Sequence, residues 1–312
     1  MATSFSSNLS SRSIGILSLI GAVALLTGSD SIIKWLSPHY ALHEIMLFRA
    51  GFALLIIMVI VNLEGGIQVL RTRRPALHAL RGLLFVLANM FFFLGLANMP
   101  LADAVAVFFA APVFICLLSK PILGEQVGLR RWMAVFIGMI GVVIMLRPGQ
   151  DTFTISATLP LLAAFTYACL QMLTRKLGVS ERASTLAFYI RIMFILVCTT
   201  SGLILGNGAL SGSDNASLEF LLRAWKWPEG HHLMIMALCG SLVGIGTYLL
   251  SQAYRVTDVS VVAPFEYAAM PFAVFWGYQL WGDWPDFITL GGSLLIILSG
   301  LVILFTKQPS VG

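Results

Sequence analysis

Glu266 is the residue with the most chemical promise in this chain of 312 residues. It stands inside an apolar stretch, two residues after Pro264, where proline removes a backbone donor and loosens a helix. A carboxyl group held away from water favours its neutral form, which suits proton coupling; the alternative is a salt bridge to an arginine on another helix. Arg49 and Arg191 also lie deep in apolar runs. A guanidinium stays charged and offers five donors, so each suits an anionic or carbonyl-rich ligand, or clamps a fixed carboxylate. Asp30 and Lys34 have the i,i+4 spacing of a helical ion pair. They read either as a structural pair with Lys34 reaching toward the membrane surface, or as a gating pair in a cavity.

Rings and amides add a second set. Tyr167 and Gln171 are spaced i,i+4, as are Tyr248 and Gln252, so each pair presents a ring and an amide on one helix face. With Tyr189, Tyr267 and Trp276 they could line a cavity for a flat organic solute, or simply bond between helices. The expected substrate-binding set is therefore Asp30, Arg49, Tyr167, Gln171, Tyr189, Arg191, Tyr248, Gln252, Glu266, Tyr267 and Trp276. Coupling or gating falls to Asp30, Lys34 and Glu266.

Other polar residues read more plainly. Asp103 and Asp258 stand near helix starts and suit capping. Gly240-x-x-x-Gly244 with Gly246 suits close helix packing. Cys116, Cys169, Cys198 and Cys239 sit singly in apolar runs and read as small packing residues, without a disulfide or metal framework. His231 and His232 have no further ligand at suitable sequence spacing, so no metal is expected, and no cofactor either. The sequon-like Asn215-Ala216-Ser217 reads as chance. No HExxH, GxSxG, P-loop or CxxC pattern is present, which argues against an enzyme and against an ATP-driven pump. An intramembrane enzyme with dispersed residues and a channel remain as the alternative classes, although a channel would normally carry a pore ring.

The elements that must position these residues are membrane helices. Hydrophobic residues make up 58% and charged residues 11% of the chain. Mean hydropathy is +0.91. Apolar runs of about 20 residues suffice to cross a hydrocarbon core, and no period-2 alternation suggests a barrel. The runs predict ten helices, at about 14–36, 42–63, 76–98, 101–119, 128–146, 155–174, 184–205, 232–254, 257–280 and 286–306. Basic residues cluster in alternate connections, Arg71, Arg73, Arg74, Arg130, Arg131, Arg175, Lys176 and Arg182 among them. That bias predicts both termini on the cytoplasmic side. Despite the net charge of +5, the basic residues form no patch with aromatics, so nucleic acid is not an expected partner.

Spacing then reveals a duplication. Lys34 and Lys176 lie 142 residues apart, as do Arg49 and Arg191; Pro112 and Pro271 lie 159 apart, as do Gly141 and Gly300. A unit of five helices must re-enter from the opposite side, so the fold class expected is an all-α integral membrane protein of two inverted five-helix repeats, suited to alternating access. The expected layout is an N-terminal cytoplasmic tail at 1–12, a first repeat at 13–149, a second at 150–306 and a tail at 307–312. The first long apolar run is expected to remain as a transmembrane helix.

The sequence resembles the EamA-type members of the drug/metabolite transporter superfamily over about 13–306. The resemblance rests on PLADAVAVFFAAPVF (Pro100–Phe114), LGEQ (Leu123–Gln126) and GMIGVVIMLRPG (Gly138–Gly149) in the first repeat. In the second it rests on DVSVVAPFEYAAMPFAVFWGY (Asp258–Tyr278), GDWPD (Gly282–Asp286) and GGSLLIILSG (Gly291–Gly300). Asp283 stands where many members have Glu. The resemblance implies secondary transport of a small organic solute across a bacterial inner membrane, coupled to a proton or an exchanged solute. The APFEY stretch is most similar to carriers of riboflavin and S-adenosylmethionine, with riboflavin the leading expectation and S-adenosylmethionine or an amino acid next. The lipid bilayer is the other partner, and a homodimer is an open expectation.

Overall fold

The computed structural model describes residues 11–97, 107–146, 158–178, 180–212, 216–282 and 287–304. Asp103, Asn215 and Asp283 lie outside the described residues, as do most of the N-terminal tail and the whole of 307–312.

The described residues are helical throughout their apolar runs and contain no strand. A backbone in lipid has no water to bond, so an apolar run must satisfy its own N–H and C=O groups, and a helix does this residue by residue. The helices are α1 (Ser11–Leu36), α2 (Leu42–Glu64), α3 (Pro75–Ala97), α4 (Ala111–Leu123), α5 (Leu129–Leu146), α6 (Thr158–Gly178) and α7 (Ala183–Leu205). A short α8 (Ala216–Leu222) lies in the long polar loop, followed by α9 (Gly230–Val256), α10 (Val259–Val262), α11 (Ala269–Trp281) and α12 (Phe287–Leu304). Among the described residues, 6 helical stretches are long and apolar enough to cross a membrane. This is a multi-pass membrane protein.

Two helical passages are broken rather than continuous. The stretch expected as one helix over 257–280 begins with the four-residue α10, tightens into a 3-10 segment at Ala263–Ala268, and resumes as α11. Pro264 has no N–H to give and crowds the preceding turn, which accounts for the tightening. The passage expected at 101–119 likewise turns at residues 109–110 before α4. Both α4 and α11 are 13 residues long, and each ends on a glycine in the left-handed region, Gly124 at φ 72° and Gly282 at φ 73°. Glycine adopts that conformation without a Cβ penalty.

Helix α9 packs on both α1 and α2; α6 packs on α3 and α4; α2 packs on α7, α1 on α11, and α5 on α12. The α9 glycines set the first two contacts. A Cβ at Gly240 would stand 2.8 Å from the Arg49 carbonyl oxygen, one at Gly244 3.0 Å from that of Ala53, and one at Gly246 3.1 Å from the Leu26 side chain. Removing those methyls lets the backbones approach and maximises dispersion contact, the main attraction between helices in lipid.

The chain is tied differently at its two ends. At one end, called the near end, Thr72 donates to Glu181 at 2.7 Å, and Glu125 accepts from the N–H of Val259 at 2.9 Å. At the far end, Arg223 donates to the Ser37 carbonyl at 2.9 Å, and the Tyr40 hydroxyl meets His232 Nδ1 at 2.7 Å.

Candidate functional site

The 3-10 segment places Glu266 against α6 and α9. Its Oε1 accepts a hydrogen bond from the Tyr167 hydroxyl at 2.7 Å and a second from the Tyr254 hydroxyl. Glu266 and Tyr254 are both buried. Phenolic donors satisfy a carboxylate without a counter-charge, and bonds to an ionised acceptor are about twice as strong as neutral ones. Tyrosines, not the arginines weighed as alternatives, are therefore the partners of Glu266. The Tyr167 ring centroid lies 5.6 Å from that of Phe108, and that of Tyr267 lies 5.6 Å from that of Phe109, so one aromatic pair includes a residue bonded to Glu266 and the other its chain neighbour. Gln171, one turn along α6, is buried beside the Tyr167 hydroxyl and leaves its Nε2 without a partner among the described residues.

A second group lies on α1, α2, α7 and α9. Arg49 Nη1 stands 3.6 Å from Asp30 Oδ1, with the Asp30 side chain 56% exposed and that of Arg49 only 5%. Arg191 is fully buried, its guanidinium between the rings of Phe85 and Phe194 at 5.7 and 5.4 Å, with Nη2 donating to Thr247 at 2.8 Å. Arg49 Nη1 and Arg191 Nε and Nη1 have no hydrogen-bond partner among the described residues. Arg191 lies within electrostatic reach of Arg49. Lys34 is exposed one turn beyond Asp30. Trp276 faces α1, its ring 3.1 Å from where a Cβ on Gly28 would stand. Tyr167 borders both groups, packing against each of the two large apolar clusters.

The other sequence candidates are employed at the near end. Tyr189 donates to the Leu70 carbonyl at 2.9 Å and lies 4.4 Å from the His78 ring. Tyr248 donates to Glu64 at 2.8 Å, and Gln252 accepts from Arg255 at 3.1 Å. Tyr248 and Gln252 thus lie on a face of α9 that meets near-end residues, whereas Tyr254 on the same helix meets Glu266. Asp258 occupies the position before α10, yet its side chain makes no capping bond. It meets Arg175 at 3.2 Å and Arg131 at 3.6 Å. The cap comes from Glu125 instead, which accepts from the N–H groups of Val259 and Ser260 and from the Ser260 hydroxyl at 2.9 to 3.1 Å. At the far end Glu229 joins His231 and His232, with side-chain N and O atoms within 4.8 Å of one another, so the ligand that the sequence reading did not find stands two residues before His231.

Sequence reasoning missed three residues. Tyr254 stands two residues from the end of α9 and carries no motif that singles it out. The sequence does not single out Arg81, yet it is buried and donates to Thr174, the Leu186 carbonyl and Ser251 at 2.7 to 3.2 Å. Glu125 appears in the LGEQ motif, but its partner lies 134 residues away in sequence.

The described residues thus hold a buried carboxylate bonded by two phenols and, on other helices, two buried guanidiniums with unbonded nitrogens. Residues 13–147 match the EamA-like transporter family. The chain is 28% identical to the S-adenosylmethionine uptake transporter of Rickettsia prowazekii (strain Madrid E), over 93% of this chain and 92% of that one. It is 28% identical to the riboflavin transporter of Vibrio cholerae, over 90% and 91%, and 24% identical to the pseudopaline exporter CntI of Pseudomonas aeruginosa, over 94% and 97%. A crystal structure superposes with a TM-score of 0.75 at 18% identity, covering 96% of this chain and all of that one, which shows a shared fold. That match and the transporter relatives are consistent with the drug/metabolite transporter superfamily. It is a transporter and not an enzyme.

Proposed function

We propose that the protein is a secondary carrier that moves a small nitrogenous metabolite across the bacterial inner membrane by alternating access, between inverted repeats at 13–149 and 150–306. The observation that carries this is the pair of broken passages. Helices α4 and α11 have equal length and the same glycine ending, and occupy corresponding places in the two halves. Broken helices in equivalent positions mark the substrate site in inverted-repeat carriers. The packing supports the same symmetry. Exchanging the halves turns the α1–α9 contact into α6–α3, turns α1–α11 into α6–α4, and leaves α2–α7 and α5–α12 unchanged. The positive-inside bias assigns the near end, and both termini, to the cytoplasm.

The aromatic rings beside Glu266 suit a flat, nitrogen-rich ring, which riboflavin and S-adenosylmethionine share. Glu266, with one oxygen held by two phenols and the other unbonded among the described residues, is the proposed coupling group. The test is flux in proteoliposomes of the purified protein, with each compound offered in turn and with or without a pH gradient. Saturable accumulation driven by the gradient supports the reading. Equal, non-saturable entry into protein-containing and empty liposomes overturns it.

A further inference from the structure

We infer that Asp30 and Arg49 form a receptor for the α-amino-carboxylate head group of the substrate. This rests on the carrier reading and narrows it.

The pair is loose. At 3.6 Å, Nη1 and Oδ1 are too far apart for a hydrogen bond, and Nη1 has no other partner among the described residues. A donor that is buried and unbonded in a bilayer-spanning helix costs free energy until something accepts from it. The two side chains also differ in access. Asp30 is more than half exposed although it lies well inside α1, whereas Arg49 is almost wholly buried behind it. Within electrostatic reach of Arg49 stands Arg191, with two further nitrogens unbonded among the described residues.

Charge order selects the ligand. A simple anion reaching Arg49 would first meet the Asp30 carboxylate, and a simple cation held by Asp30 would feel two guanidiniums. A zwitterion satisfies both: its ammonium meets the accessible carboxylate while its own carboxylate takes the vacant Arg49 donors, a guanidinium–carboxylate match of good geometry. A neutral flavin offers carbonyl acceptors to Arg49 but forms an ion pair with neither group. The inference therefore favours an amino acid bearing a flat ring, the class to which S-adenosylmethionine belongs, over riboflavin.

The probe is S-adenosylmethionine against its decarboxylated analogue, 5′-methylthioadenosine and riboflavin, with binding read as thermal stabilisation of the full-length protein in detergent. Removal of the carboxylate from the ligand is expected to weaken apparent affinity at least tenfold in the unaltered protein, a comparison that needs no variant to fold. In Arg49→Gln that difference should collapse to within about twofold, because the partner of the carboxylate is gone. Asp30→Asn should erode the preference for a free ammonium over its N-acetyl derivative. Equal binding of S-adenosylmethionine and the decarboxylated analogue overturns the assignment. So does riboflavin stabilisation and flux without any response to amino acids, which leaves the carrier reading standing. Carboxylate-dependent binding without flux supports the head-group receptor and overturns the carrier. Silence across all four probes overturns both.

Discussion

At the scale of single residues, Glu266 is held by hydroxyls rather than by charge, and this shapes what substitutions do. Glu266→Gln keeps the volume and removes the titrating group. Gradient-driven accumulation should fall at least tenfold, and residual flux should lose its dependence on the pH gradient; counterflow in liposomes separates the two effects. Tyr254→Phe deletes one of two donors to the same oxygen. A hydrogen bond to a charged group is worth about 1.5–3 kcal/mol, so substrate flux should fall about tenfold or more while the protein stays folded. The sequence made Glu266, Arg49 and Arg191 legible because ionisable groups stand out in apolar runs. It could not name their partners. The i,i+4 spacing of Tyr248 and Gln252 says that they share a face, and only the packing of α9 says which helices that face meets. Tyr254 became the partner of Glu266 because residues 259–268 turn back along α9, a long-range consequence with no local signal.

At the scale of elements, close packing of α9 on α2 depends on Gly240. In Gly240→Val the side chain must displace the Arg49 carbonyl or the Phe52 side chain. Overpacking of this kind costs about 1–3 kcal/mol, so the apparent melting temperature in detergent should drop by several degrees, whereas Gly277→Ala, where a Cβ meets nothing within 4 Å, should leave it unchanged. Helix existence was legible in the apolar runs, and the glycine contact in the small-x-x-x-small spacing. The break at Ala263–Ala268 was half visible through Pro264. The turn at 109–110 had no breaker of its own, since Pro112 falls where a helix starts and is tolerated there. The N-terminus of α10 shows the same limit: a nearby aspartate predicts a cap, and the structure draws the cap from a distant glutamate.

At the scale of the whole molecule, the near end is knotted by side chains from five segments. Glu125, Arg131, Arg175 and Asp258 join the α4–α5 turn to α6 and α10, while Glu181 accepts from Thr72 at 2.7 Å and, through its carbonyl, from Arg255 at 2.9 Å. The cleft beside this knot, lined by Glu125, Arg175 and Asp258, holds about 460 Å³. This arrangement suits a carrier closed at its near end. Glu125→Ala removes three accepted bonds at once and should open that end. A cysteine placed at the buried Gln171, with the four native cysteines replaced, should then react several-fold faster with a thiol reagent applied from the near side. Unchanged labelling would mean that the knot does not bear on closure.

The buried arginines carry one further consequence. Arg49 is shared with Asp30, but Arg191 faces two phenyl rings and a threonine hydroxyl, without a carboxylate in reach among the described residues. A fixed positive charge of this kind feels the voltage across the membrane, worth about 2.3 kcal/mol per elementary charge for each 100 mV traversed in full. If the halves rock about Arg191, the aqueous boundary passes from one side of that charge to the other without the side chain moving. The carrier's turnover should then respond to membrane potential even in exchange of a substrate of zero net charge, where no net proton moves. Valinomycin-clamped liposomes measure this directly, and Arg191→Gln should flatten the response.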